Sequence, residues 1–156
     1  MTPWPVPLVT NQTATKVCLA WASERGLLGR HSRVPMLLQR RWSDDGGAIY
    51  FASADGGPIK VGWSGRVLER LRQLRSDDGR ACIPRVVICP AYYCDEWELH
   101  GVLKPFRIAG PHLEWYEPNS PVGELQQRLV AAAEGSLRFR FKEPRVRLAR
   151  TERLAT

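Results

Sequence analysis

Between Ala48 and Trp63, apolar and polar side chains alternate with a period of two on either side of the turn-forming run Asp55-Gly56-Gly57-Pro58. Ile49 and Phe51 alternate with Ala48, Tyr50 and Ala52 before the turn, and Ile59, Val61 and Trp63 alternate with Lys60 and Gly62 after it. Two such runs around a short Gly/Pro turn predict a β-hairpin. Successive strand side chains point to opposite faces, so burying Ile49, Phe51, Ile59, Val61 and Trp63 on one face leaves Tyr50 and Lys60 together on the other. Ser43-Asp44-Asp45-Gly46-Gly47 is a strong break ahead of the hairpin, and the core domain is expected to start there and run over 47–135.

Before that break lies a basic, partly helical extension (1–46). Its first dozen residues, rich in Pro and Thr, read as an irregular lead-in. Val17, Cys18, Ala20, Trp21, Leu27 and Leu28 then outline a helix over Thr13–Leu28 that Gly29 would end, and Val34–Leu38 forms a second apolar patch. Beyond the hairpin, Ser64 as N-cap with Val67, Leu71 and Leu74 at helical spacing predicts a helix that breaks over Ser76–Gly79. Val86–Cys89 reads as a short buried strand ended by Pro90. Cys94–Leu103 is predicted helical, with Glu96 and His100 one turn apart, and Pro121–Ala133 is a helix with Leu125, Leu129 and Ala132 as its stripe. The remainder (136–156) is a basic tail in which Arg138-Phe139-Arg140-Phe141-Lys142 has the alternation of a strand.

A chain of 156 residues accommodates one domain with tails, and 44% apolar with 25% charged residues lies within the globular range. No apolar run approaches the roughly 20 residues of a membrane-spanning helix, and the N-terminus lacks a signal-peptide layout, so a cytoplasmic protein is expected. Cys18, Cys82, Cys89 and Cys94 show no Cys-x-x-Cys spacing and are expected to be thiols rather than disulfide or metal partners. The net charge of +7 is uneven: residues 1–42 and 138–156 carry +5 each and the middle −3. Basic flanks around a mildly acidic centre suit arms that hold a polyanion; arginines that only keep a small protein soluble are the plainer alternative.

Several short motifs in order carry more. Ala48-Ile49-Tyr50 is followed by Lys60-Val61-Gly62-Trp63-Ser64, then Arg70-Leu71, then Glu96-Trp97-Glu98-Leu99-His100 of the form Glu-x-x-Leu-His, then Glu114-Trp115-Tyr116. Over residues 47–120 this series resembles the GIY-YIG nuclease superfamily, and in particular a phage and bacterial subgroup with a Lys-Ile-Gly second motif and a Glu-Trp-Phe box. Lys60 stands where other members have a second tyrosine, and Ala48 opens the first motif.

The resemblance implies an α+β fold with a small three-stranded antiparallel sheet flanked by helices. It also implies an endonuclease that cuts nucleic acid, DNA before RNA, with a single divalent metal, Mg²⁺ or Mn²⁺. Tyr50 falls on the tyrosine that positions or helps deprotonate the attacking water, with Lys60 on the same face as a cation to assist the phenol. Arg70 falls on the arginine that contacts the scissile phosphate. His100 is a further catalytic candidate, Glu96 is the chosen metal ligand with Asp95 and Glu98 close enough in sequence to be alternatives and Glu114 a second candidate, and Arg66, Gly62 and Glu114 are candidates for substrate contact. Three alternatives stay open: a nucleic-acid-binding module without turnover, a helper domain docking a protein through Trp4, Trp21 and Trp42, and a transition-metal site from Cys94, Glu96 and His100.

Overall fold

A computed structural model of the chain describes residues 4–28, 47–53, 57–76, 83–108, 114–139 and 147–148. The hairpin forms as its alternation requires. Strands β2 (Gly47–Ser53) and β3 (Ile59–Ser64) pair antiparallel, with Tyr50 opposite Gly62 and Ala52 opposite Lys60. Strand β4 (Ile83–Ala91) lies antiparallel on the other side of β2. It is longer than Val86–Cys89 and runs through Pro90 instead of ending there. The β2–β4 register shifts between Gly47 and Ile49 and again between Phe51 and Ala52, so Pro90 and Pro84 fall at or beside irregularities where a missing N–H is tolerated.

The expected small three-stranded sheet is overturned. Among the described residues the sheet has seven strands in the order β5-β3-β2-β4-β1-β6-β7, because segments outside the hairpin region join it. Strand β1 (Trp4–Val9) comes from the supposed irregular lead-in; it runs parallel to β4 through Leu8↔Val87 and Val9↔Ile88 and antiparallel to β6 (Gly135–Phe139). Pro5 and Pro7 disguise it. They stand two residues apart, so both missing donors fall on one edge of the strand, while Val6 and Leu8 alternate into the interior and are fully buried. Strands β5 (Trp115–Tyr116) and β7 (Arg147–Leu148) pair with β3 and β6.

Helix α1 (Asn11–Glu24) starts at a Thr10 cap whose side chain accepts from the Thr13 N–H. It ends earlier than Gly29, at Gly26, whose φ of 64° lets its N–H reach the Ser23 carbonyl and the Leu27 N–H reach that of Ala22. Helices α2 (Val67–Ser76), α3 (Tyr93–Leu103) and α4 (Pro121–Ala131) follow, with a 3₁₀ turn over Lys104–Phe106. Pro121 opens α4 behind a Ser120 cap, where a proline costs no hydrogen bond. No described helix is long and apolar enough to cross a membrane.

The two faces of the sheet receive different layers. On one, Ile49, Phe51, Ile59, Val61, Val86 and Ile88 pack with residues of α1, α3 and α4, including Trp21, Leu99 and Leu125. On the other, Ala48, Tyr50, Ala52 and Val87 meet Val67 and Leu71 of α2 and Val6, Leu8 and Leu137. Trp21 is therefore a core residue, its Nε1–H donated to the Pro121 carbonyl at 2.9 Å, and not an exposed anchor; the Trp4 side chain and Trp42 lie outside the described residues. Arg25 of the basic N-terminal segment pairs with Glu124 of α4, so it is engaged within the fold, while residues 29–46, 140–146 and 149–156, which carry most of the flanking arginines, lie outside what is described. Cys18 is buried, Cys89 half-buried and Cys94 exposed, all as free thiols; Cys82 lies outside the described residues.

Candidate functional site

Tyr50 leaves β2 on the α2 side, and its phenol lies across Gly62 of the neighbouring strand. A Cβ at residue 62 would stand 2.4 Å from the Tyr50 Oη and 2.5 Å from its Cζ, so the glycine supplies the space the ring occupies. Val67 and Leu71 seat α2 on the same face, and this brings Arg70 over the hairpin. The Arg70 Nε–H is donated to the Tyr50 hydroxyl at 3.0 Å, and its Nη1 reaches the Gln73 Oε1 at 3.3 Å. Arg66, one turn earlier, stays outside this cluster: its side chain is 83% exposed and lies 3.7 Å from Glu69.

Burial raises the Tyr50 pKa, and the opposing pull of the Arg70 guanidinium does not reverse it. The hydroxyl is therefore a neutral phenol at physiological pH. This corrects the expectation for Lys60, because the cation that faces Tyr50 is Arg70. Lys60 shares the face but pairs with Glu114, Nζ to carboxylate 3.8 Å, and lies over the Trp115 ring at 5.5 Å. Its neighbours are set by β5, which brings Trp115 directly opposite Lys60 in the ladder.

Helix α3 supplies the second group. Its start is held by Asp95, which is fully buried and accepts the Tyr92 N–H at 2.8 Å, so this carboxylate caps the helix and does not compete with Glu96 as a ligand. Glu96, also buried, faces His100 one turn on, Oε1 to Nε2 at 3.2 Å. The other ring nitrogen, Nδ1, meets the Tyr116 hydroxyl at short range, and the His100 and Tyr116 rings stack. A neutral imidazole satisfies both contacts if Tyr116 donates to Nδ1 and Nε2–H donates to Glu96. The resulting Tyr116–His100–Glu96 chain fixes the carboxylate, with both histidine nitrogens engaged inside the fold.

Tyr116 and Arg107 are the residues that motif reading missed. Tyr116 lay in the quoted Glu114-Trp115-Tyr116 box, and its signal was the hydroxyl where the box has phenylalanine. Arg107 had none; a bridge between Arg107 and Tyr116 brings it in, and its guanidinium bonds to the phenol. Burial pushes the Tyr116 pKa up to about 12 against that pull. The Glu96 and Glu114 carboxylates push both phenols further up, so Tyr50, Tyr116, Glu96 and Glu114 share one electrostatic neighbourhood although β2, α3 and the β5 segment supply them separately. Among the described residues no three His, Cys, Asp or Glu side chains cluster as a metal cage, which removes the Cys94–Glu96–His100 alternative.

No curated protein and no solved structure matches the chain. A family model does: the T5orf172 domain matches residues 47–135, which include the hairpin, Arg70, the Glu96–His100 pair, Tyr116 and α4. This overturns the resemblance to the GIY-YIG superfamily, which rested on motifs a few residues long, whereas the match runs continuously from the start of β2 to the start of β6. With 47–135 of its 156 residues matched, the chain belongs to the T5orf172 domain family, which is associated with nuclease-like and DNA-binding function.

Proposed function

We propose that this chain is a metal-dependent endonuclease that hydrolyses phosphodiester bonds of nucleic acid, DNA in preference to RNA. The observation that supports this most is the Arg70–Tyr50 hydrogen bond in the electrostatic neighbourhood of a buried Glu96 that His100 orients. Each group has a part in in-line attack on a phosphate. The Arg70 guanidinium, with five N–H donors, meets the non-bridging oxygens and neutralises charge that develops there. Tyr50 accepts from Arg70, which leaves its own O–H to be donated. As a neutral phenol it holds the attacking water or a phosphate oxygen in place and does not take the proton itself.

Glu96 fits a divalent ion shared with substrate. Mg²⁺ in phosphoryl-transfer sites takes one or two carboxylates and completes its shell with water and phosphate oxygens, and Glu96 is one buried carboxylate whose Oε1 His100 holds in place. When bound, such an ion supplies Lewis-acid stabilisation of the phosphate. His100 is a positioning residue here, because both of its nitrogens are already engaged.

Nicking of supercoiled plasmid and of single-stranded circular DNA by the full chain with Mg²⁺ or Mn²⁺ tests this reading. Wild-type protein is expected to nick, and Glu96→Gln to lose on the order of 100-fold or more in rate while binding is retained. Undiminished nicking by Glu96→Gln removes Glu96 from the metal. Binding without nicking by wild-type protein under either ion leaves a nucleic-acid-binding module without turnover.

A further inference from the structure

The two most exposed large hydrophobic side chains among the described residues sit on one helix, beside the candidate site. On α3, Trp97 is 67% exposed and Tyr93 58%. They are four residues apart, so the rings follow one another along one face. Tyr93 is braced: its ring meets Trp63 edge-on, with centroids 5.6 Å apart. At about 100° per residue, Tyr93 lies only about 20° around the helix from His100 and about 60° from Glu96. The aromatic row therefore borders the row that carries the carboxylate.

Two further positions extend this face. Lys104, exposed, follows about 20° from Tyr93 at the far end of α3 and brings a cation. Gly101 lies one turn beyond Trp97, about 40° around the helix from it, and a Cβ there would have nothing within 4 Å. A mid-helix glycine destabilises a helix relative to alanine, and no packing of the described residues requires one here. What it leaves is open, flat helix surface next to Trp97.

We propose that this strip is a stacking platform for unpaired bases, on which a single-stranded stretch of nucleic acid lies as it reaches Glu96. Trp97 and Tyr93 each offer a ring to one base, Lys104 meets a phosphate, and Gly101 gives the sugar–phosphate backbone room to approach. The occupant follows from the chemistry of the row. Exposed rings followed by a cation, in a chain whose two flanks carry +5 each around a middle of −3, suit a polyanion that carries aromatic faces. A base inside a duplex is stacked on its neighbours and has no free face, so the strip selects unpaired strands. This inference rests on the nuclease reading for the site it serves and refines the substrate from nucleic acid to unpaired strand.

Fluorescence anisotropy of the full-length protein with a labelled single-stranded oligonucleotide, against a blunt duplex of equal length, tests it. Wild-type protein is expected to favour the single strand, Trp97→Ala to weaken that binding about 5- to 150-fold, and Trp97→Phe to retain most of it. Trp97 is largely in water, so Trp97→Ala should keep the circular dichroism and melting of the parent. Equal single-strand affinity of Trp97→Ala and wild type overturns the platform. So does a preference for duplex that Trp97→Ala leaves unchanged, or a shift from dimer to monomer in sedimentation with oligonucleotide affinity intact, which would make the face an interface between copies. The two readings fail separately. Glu96→Gln that still nicks, together with a weakened Trp97→Ala, sinks the metal assignment and leaves the platform; the reverse pattern sinks the platform alone.

Discussion

Charge is handled in opposite ways in two regions of this molecule. In the seam between α1 and α4, Arg25 meets Glu124 and Arg128 bridges Glu124 and Glu24, all with side chains 20–54% exposed. There the arginines hold the Glu24 carboxylate in its charged form, and the Arg128 hydrogen bond is the main reason its pKa is lowered. Around Tyr50 and Tyr116 burial wins, and each phenol is raised in spite of an arginine bonded to it. Surface pairs of the first kind are screened by salt and contribute little. Buried groups of the second kind resist ionisation, and their concentration at one place marks function more than it marks folding.

The largest effect should separate the regions by activity. Arg70→Ala is expected to lower nicking about 100- to 1,000-fold, as loss of a preorganised donor to a phosphate does, while Arg128→Ala in the seam leaves the rate unchanged. Equal losses from both would reduce Arg70 to general electrostatics. Next, Tyr50→Phe should lower nicking about 10- to 100-fold with melting nearly preserved, because the ring stays on Gly62 and only the hydroxyl goes. Gly62→Ala displaces that ring and should lose both activity and about 1–3 kcal/mol of stability, read from a urea transition.

Stability against pH sharpens the comparison. Tyr116, at about 12 in the folded state against an ordinary phenol near 10, contributes stability that is intact below pH 10 and lost as pH rises through 12. Tyr50 acts in the same sense, as do the buried thiols of Cys18, at about 12, and Cys89, at about 11. Glu24 acts in the other: its folded pKa lies below 4.5, so its contribution is present above that value and lost as pH falls through the folded pKa. Urea midpoints across pH should show Tyr116→Phe flattening only the alkaline arm and Arg128→Ala only the acid arm. The smallest changes are structural. Gly26→Ala, forced to a φ of 64°, should cost about 1 kcal/mol, and Glu124→Ala about 0.5 kcal/mol, an amount that vanishes in high salt.

Much of the hairpin could be read from residue types, since alternation is a property of the strand itself. It predicted that Ile49, Phe51, Ile59 and Val61 would share a face and that Tyr50 would take the other, as they do. The sheet exceeds what residue types indicate where proline speaks against a strand locally: Pro5 and Pro7 hide β1, and β4 runs on through Pro90. The two-residue spacing of Pro5 and Pro7 puts both missing donors on one edge only once the segment is extended, and that depends on its pairing with β4 and β6. Short motifs in the right order suggested one superfamily, and the match over 47–135 identified another.

Local periodicity follows from residue order alone, and with it the hairpin, the helical stripes and the side of the strand from which Tyr50 projects, because these depend only on backbone geometry and neighbours in the chain. Packing set the partners. Val67 and Leu71 set the position of α2, and that position made Arg70, not Lys60, the cation at Tyr50. The approach of β5 gave Lys60 to Glu114 and brought Tyr116 to His100. Burial then fixed the protonation of both phenols. Distances between groups far apart in the chain, and the water excluded from them, exist only once the layers have packed.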